Sequence, residues 1–242
     1  MSSPDVRTMR VTLRESRMVV ERLCQAIGVP DGILPSLTNC GVYSAALGLA
    51  GFHGIERQLE FLHSIAAEAM SVRGEGGLIR FFAAKQHAWV AAEPALDMLV
   101  ANFRIGEACD MIIEDAVEPR ELAVIHALAE RHHLQAEVKI GGDGKAAITL
   151  SDRAGSDPTV LDRIVRDGIE VEYDLWFGLF HRSHEALAPD TVLSRTHTGS
   201  IIIRPDGTII GREDPEFIDT DLSMLTKDTL IKLEKTGTTA NE

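Results

Sequence analysis

Apolar residues recur at helical spacing through the first third of the chain. Met18, Val19, Leu23, Ala26 and Ile27 share one face of a segment that runs from Leu13 to Ile27. Thr12 and Glu15 stand three apart at its start, the spacing of a capping box, in which hydroxyl and carboxylate satisfy orphan amides reciprocally. Gly28 and Pro30 end the segment. Further helices are predicted over 35–50 and 55–70, with Gly48, Gly51 and Gly54 punctuating the join. Residues 1–10 read as a free arm or a first strand.

Beyond residue 73 the pattern changes. Gly74-Glu75-Gly76-Gly77 reads as a flexible linker. Apolar runs at 78–84 and 87–92 read as strands, paired across Lys85-Gln86, and Pro94 reads as the start of a short helix. Met111, Ile112 and Ile113 mark a buried strand over 110–114. Pro119, at a first helical position where its missing amide costs nothing, opens a helix striped by Leu122, Ile125 and Ala129. Segments 136–140 and 146–150 form a hairpin across Gly141-Gly142-Asp143-Gly144. Helices are predicted from Asp157-Pro158 to about Arg166 and over 172–187. A hairpin crosses Pro205-Asp206-Gly207, joining 200–204 to 208–212, and Thr220-Asp221 caps a last helix to about Leu233. Helices first, then hairpins with helices, predict an α+β fold. Its parts are a helical N-terminal region over 1–73, an α+β domain of mixed antiparallel hairpins over 78–234, and a polar tail over 235–242.

Composition narrows the function classes. Aromatic residues make up only 5% of the 242 positions, so Leu, Ile, Val and Ala must fill the core. The net charge of −13 argues against nucleic acid and anionic membrane surfaces as partners, since both need a basic face. Cys24, Cys40 and Cys109 are odd in number and form no CxxC, which fits a reducing cytoplasm. Neither a secretory leader nor a long apolar span is present, so a cytoplasmic location is expected.

The familiar nucleotide-binding and metalloprotease motifs are absent, so no nucleotide cofactor is expected. Candidate chemistry gathers late in the chain. His181 and His184 sit three apart in a helical pattern, so both imidazoles could reach one divalent metal or one substrate. The segment Ser194-Arg195-Thr196-His197-Thr198-Gly199 places a cation, an imidazole and hydroxyls within six positions. Arg195, with Arg182, Thr196 and Thr198, would hold a small anion, and His184 or His197 would act as acid and base. His132-His133 closes a helix, where the helix dipole accounts for it. His53 lies in the glycine-rich join, and Cys40 reads as a buried helix cysteine.

Three stretches carry a family resemblance. The first is Val11-Thr12-Leu13-Arg14-Glu15 leading to Ala26-Ile27-Gly28-Val29-Pro30 and Gly32-Ile33-Leu34. The second is Val117-Glu118-Pro119 before an Ala/Leu helix and two short strands. The third is Trp176-Phe177-Gly178-Leu179 followed by Ala188-Pro189-Asp190-Thr191-Val192-Leu193-Ser194-Arg195. Together they resemble a bacterial family known as domain of unknown function 3726, with a departure after Arg195. The resemblance implies a bacterial metabolic setting and carries no activity with it.

Two functions follow as expectations. One is a small-molecule metabolic enzyme, a hydrolase or lyase on a carboxylate-bearing substrate. The other is a non-catalytic accessory subunit or binding module, packed on a partner or on a second copy through its small-residue helical faces.

Overall fold

The capping box at Thr12 forms as its spacing predicts. The Glu15 amide donates to Thr12 Oγ1 at 3.2 Å, and the Thr12 amide donates to Glu15 Oε2 at 2.8 Å. These bonds lower the Glu15 pKa. They start α1 (Leu13–Ala26), which follows a short strand, β1 (Thr8–Val11). The computed structural model describes residues 6–62, 64–187, 202–203 and 209–210. Residues through Leu187 belong to one compact unit and later ones to a second.

In the first unit, α2 (Leu34–Ala46) and α3 (Gly51–Leu62) pack with α1 into a helical layer. Gly51 makes their sharp join. Its φ is +51°, and a Cβ there would lie 2.7 Å from Ala45 Cα, so no larger residue fits. Helix α3 begins at Gly51 and ends at Leu62, earlier at both ends than the stretch predicted over 55–70. His53 is therefore inside its first turn, not in the join.

The glycine run does not separate domains. Gly74 and Glu75 belong to β2 (Ser71–Glu75), and Gly76 and Gly77 turn it into β3 (Leu78–Phe82), its antiparallel partner. The strand predicted over 87–92 is instead the first turn of α4 (Ala88–Arg104), and Pro94 lies inside this helix rather than at its start. The apolar run misled because Ala88, Trp89, Val90, Ala91 and Ala92 are all buried. A segment buried all round shows no period to separate helix from strand. His87 is the helix cap: its Nδ1 accepts from the Trp89 amide at 3.2 Å.

After β4 (Asp110–Glu114), Pro119–Val124 forms a 3-10 turn, and α5 (Ile125–Glu130) follows. The hairpin of β5 (Leu134–Ile140) and β6 (Ala146–Asp152) matches the expectation and extends it by two residues at each outer end. A second capping box, Thr159 with Asp162, starts α6 (Val160–Asp167). Strand β7 (Ile169–Glu172) then precedes α7 (Tyr173–Ser183), so the helix predicted from 172 starts one residue later.

The main sheet has the order β2-β3-β4-β6-β5. Neighbours are antiparallel except β3 and β4, which run parallel with α4 as the crossover. Ile79, Phe81, Met111, Ile113, Ile148 and Leu150 alternate onto one face and join the helices in the core. The other face is wetter and polar, as mixed and antiparallel sheets allow. There Glu114 takes Lys145 at 3.0 Å and Arg80 at 2.8 Å, which hold its carboxyl below the usual range. A separate ribbon joins β1 to β7 antiparallel. In the second unit, β8 (Ile202–Ile203) and β9 (Ile209–Ile210) pair antiparallel, within the hairpin predicted across Pro205-Asp206-Gly207. The last predicted helix, from Thr220, lies outside the described residues. Among the described residues, no helix is long and apolar enough to cross a membrane.

Candidate functional site

Helix α7 carries His181 and Arg182, and His184 follows in a short 3-10 turn. The two imidazoles share a face, with ring centroids 6.3 Å apart. Each also stands edge-on to Phe180, at 6.0 and 4.7 Å, as part of an aromatic row that continues through Phe177 to Tyr173. Arg182 is exposed. Among the described residues no three His, Cys, Asp or Glu side chains stand together as a metal site would need. Arg195, Thr196, His197 and Thr198 lie outside the described residues.

Two buried titratable groups sit where the loops after β3 and β4 meet the helices. Glu121 is 3% exposed. Its Oε2 accepts from Ser44 Oγ at 2.5 Å and from Trp89 Nε1 at 2.8 Å, and its Oε1 accepts from the Ala50 amide at 2.8 Å. Ser44 Oγ in turn accepts from the Gly51 amide at 2.8 Å. One carboxylate thereby ties α2, the start of α3 and α4 to the 3-10 turn. His87 packs edge-on against Trp89 at 4.8 Å, and burial pushes its pKa down to about 4. The two βα loops are zipped together by backbone bonds from Lys85 to Asp115 and from Val117 to Gln86, both 2.9 Å. Left-handed backbone at Ala84, Lys85, Asp115 and Glu118 makes this zipper possible. Glu121 and His87 hold the frame, and neither presents an open surface to a ligand.

Among the described residues, polar chemistry converges on a groove elsewhere, beside strand β5. It has a volume of about 580 Å³ and draws walls from α5, β5, β6, the following loop and α6. That volume suits a small molecule. Glu130 Oε2 accepts from the Val160 amide at the start of α6 at 2.7 Å, and Glu130 Oε1 stands 3.8 Å from Arg153 Nη2. Arg153 also donates to the Asp157 carbonyl. These bonds fix the loop from 153 to 159, so the walls are formed before any ligand arrives. Several groove groups stay uncommitted among the described residues, two of them able to carry positive charge. The Arg163 guanidinium and the His126 imidazole line the groove, and neither side chain bonds a described residue. Gln135 and Ser151 add an amide and a hydroxyl, and Asp157 a carboxylate. Another concavity, of about 610 Å³, is lined by α1 alone, from Leu13 to Gln25, so no groups converge on it from separate elements.

The sequence gives little warning of the groove. His126, Glu130, Arg153 and Arg163 spread over four elements with no common spacing. The one local sign is Asp157-Pro158, which marks where the loop enters α6. Cys40 is buried in α2 as expected, and burial pushes its thiol well above the ordinary range, so it is no nucleophile. His132 approaches Asp97 at 3.8 Å.

No protein-family model, no curated protein and no solved structure matches the chain.

Proposed function

We propose that the chain binds a small carboxylate-bearing molecule in the groove beside β5, as a protein of small-molecule metabolism. The observation that carries this reading is the uncommitted Arg163 guanidinium in a groove whose other cation, Arg153, is engaged by Glu130 and Asp157. An unpaired guanidinium offers a carboxylate two parallel donors, the strongest neutral-pH contact for such a group. Asp157, Ser151 and Gln135 would take a hydroxyl or amine on the same molecule, which favours hydroxy or amino acids. His126 is the groove group able to move a proton, and hydrolase or lyase chemistry there would rely on it.

Titration of the full chain with a panel of small hydroxy and amino acids, followed by calorimetry, tests the reading. Arg163→Ala should weaken binding roughly tenfold to a hundredfold, the worth of a charge-assisted hydrogen bond. Because Arg163 holds nothing in the fold, the melting temperature should stay within about 2 °C, as for an exposed substitution. Unchanged affinity in the variant would remove Arg163 from the site.

A further inference from the structure

Helix α4 is apolar on two faces. One is buried in the core through Trp89, Leu96 and Leu99. The other carries Pro94, Met98, Ala101 and Ile105, all four exposed. Met98 is 39% exposed, and Ile105, the C-cap that continues the line past Arg104, is 68% exposed. A single exposed apolar residue needs no explanation. Four in a line, spaced by four, three and four, form a seam with the spacing of coiled-coil core positions. A helix that is apolar on both sides is one whose second face also packs.

The charges beside the seam restrict what packs on it. Asp97 and Arg104 stand one heptad apart, so they share one flank. The Asp97 side chain is 69% exposed and approaches the His132 imidazole at 3.8 Å. Arg104 is exposed, and no described residue bonds its side chain. Further out on the same flank, Arg131 is taken by Glu93 at 2.6 Å. The other flank carries Asn102, whose amide donates back to the Met98 carbonyl at 2.8 Å. A second α4 laid antiparallel sets Met98 against the partner's Ala101 and Pro94 against the partner's Ile105, each twice. The two-fold axis of that pair keeps both charged flanks on one side, so each Asp97 faces the partner's Arg104. Sliding the pair by one heptad sets Asp97 against Asp97, or Arg104 against Arg104. Parallel pairing brings the charged flank to the Asn102 flank and leaves both charges without an opposite.

We infer that the exposed face of α4 is a homodimer interface, with two copies of the helix packed antiparallel about the point between Leu99 and Val100. The choice of a second copy rests on charge complementarity. The register that joins the apolar residues is also the one that pairs Asp97 with Arg104, and one chain supplies both halves of each match. The seam runs only about 17 Å along the helix. The interface is therefore small, and association is reversible and depends on concentration. The inference does not rest on what the groove beside β5 binds.

Light scattering of the full chain, over a concentration series up to about 1 mM, reads the outcome. The mass should rise from 26.4 kDa toward twice that value. Asp97→Arg sets two like-charge pairs across the flank and should weaken association roughly tenfold, and adding Arg104→Asp should restore it. Ile105→Ser removes both end layers of the seam and should also weaken association. Its melting temperature at dilute concentration should stay within about 2 °C of the parent's, because the side chain is exposed in the single chain. A mass fixed at one chain at every concentration overturns the inference. So does a dimer indifferent to Asp97→Arg and Ile105→Ser, or a double charge reversal no tighter than the single one. If Asp97→Arg unfolds by circular dichroism, Arg104→Asp sets the same like-charge test from the other side.

Discussion

Glu121 shows how much one buried side chain can organise. Its carboxylate collects the Ser44 hydroxyl, the Trp89 indole and the Ala50 amide from three different elements. Glu121→Ala would leave those donors buried without an acceptor, and each such donor costs about 1–3 kcal/mol. Chemical denaturation should show a loss of about 3–5 kcal/mol, the range for breaking a buried network. His87 makes a pH-dependent contribution. In the folded chain its pKa lies at about 4, against an ordinary value of 6.5. Above pH 6.5 the imidazole is neutral in both states. Between pH 6.5 and 4 the unfolded chain takes up a proton that the folded chain refuses, so stability falls as pH falls, by roughly 3 kcal/mol for this group. His87→Asn keeps a capping acceptor and removes the titration. Its unfolding free energy should vary less steeply across that window than the parent's, and equal slopes would discount the burial effect. Glu121 did not stand out in the sequence, because its partners are distant. Ser44 is 77 positions from Glu121, and Trp89 is 32. No local pattern encodes such contacts.

At the scale of elements, legibility followed capping chemistry and exposure. Helix α1 was read correctly in its bounds because its box is local; of the expected stripe, Val19 and Leu23 are buried, while Ala26 is exposed. The β5–β6 hairpin was equally clear, since its residues alternate between a wet face and a buried one. Helix α4 was missed for the opposite reason: burial on all sides of Ala88–Ala92 erased the period, and the cap was a histidine rather than a hydroxyl or carboxylate. The Gly74–Gly77 run misled differently. Glycines suit a flexible linker and a tight hairpin turn alike, and only the pairing of Ser71 with Phe82 distinguishes them. Gly168 carries a stricter demand. It caps α6 with φ +70°, and a Cβ there would come within 2.9 Å of the Val11 carbonyl in β1. Gly168→Ala meets both the left-handed penalty and that clash, and should cost at least about 2 kcal/mol in thermal or chemical unfolding. A neutral result would mean that the ribbon can move aside.

For the whole molecule, the α+β class was accessible from element order, and the division into parts was not. The helical first third and the sheet share one core, since Leu23, Tyr43 and Ile55 belong to the same buried cluster as Met111 and Ile148. The groove beside β5 likewise exists only once α5, α6 and the sheet edge are assembled. Its uncommitted Arg163 is one charged residue among many along the chain. In the fold it is the groove cation left without an acceptor among the described residues, beside the already placed Glu130. The place of β5 at the end of the described sheet likewise depends on the strand order, which puts β6 inside and β5 outside.

The β1–β7 ribbon has a consequence for synthesis. Thr8 pairs with Glu172 and Val11 with Ile169, about 160 positions apart. Translation adds about 5–20 residues per second, so the first strand waits roughly 8–30 s for its mate to be made. Helices α1 to α3 and the main sheet can form meanwhile, but Val11, 1% exposed in the finished fold, has no strand to pair with until Ile169 emerges. The ribbon is therefore among the last parts of the unit to close, with α7 following it onto α1. A nascent chain halted before residue 169 would carry an apolar N-terminal strand still open to chaperones.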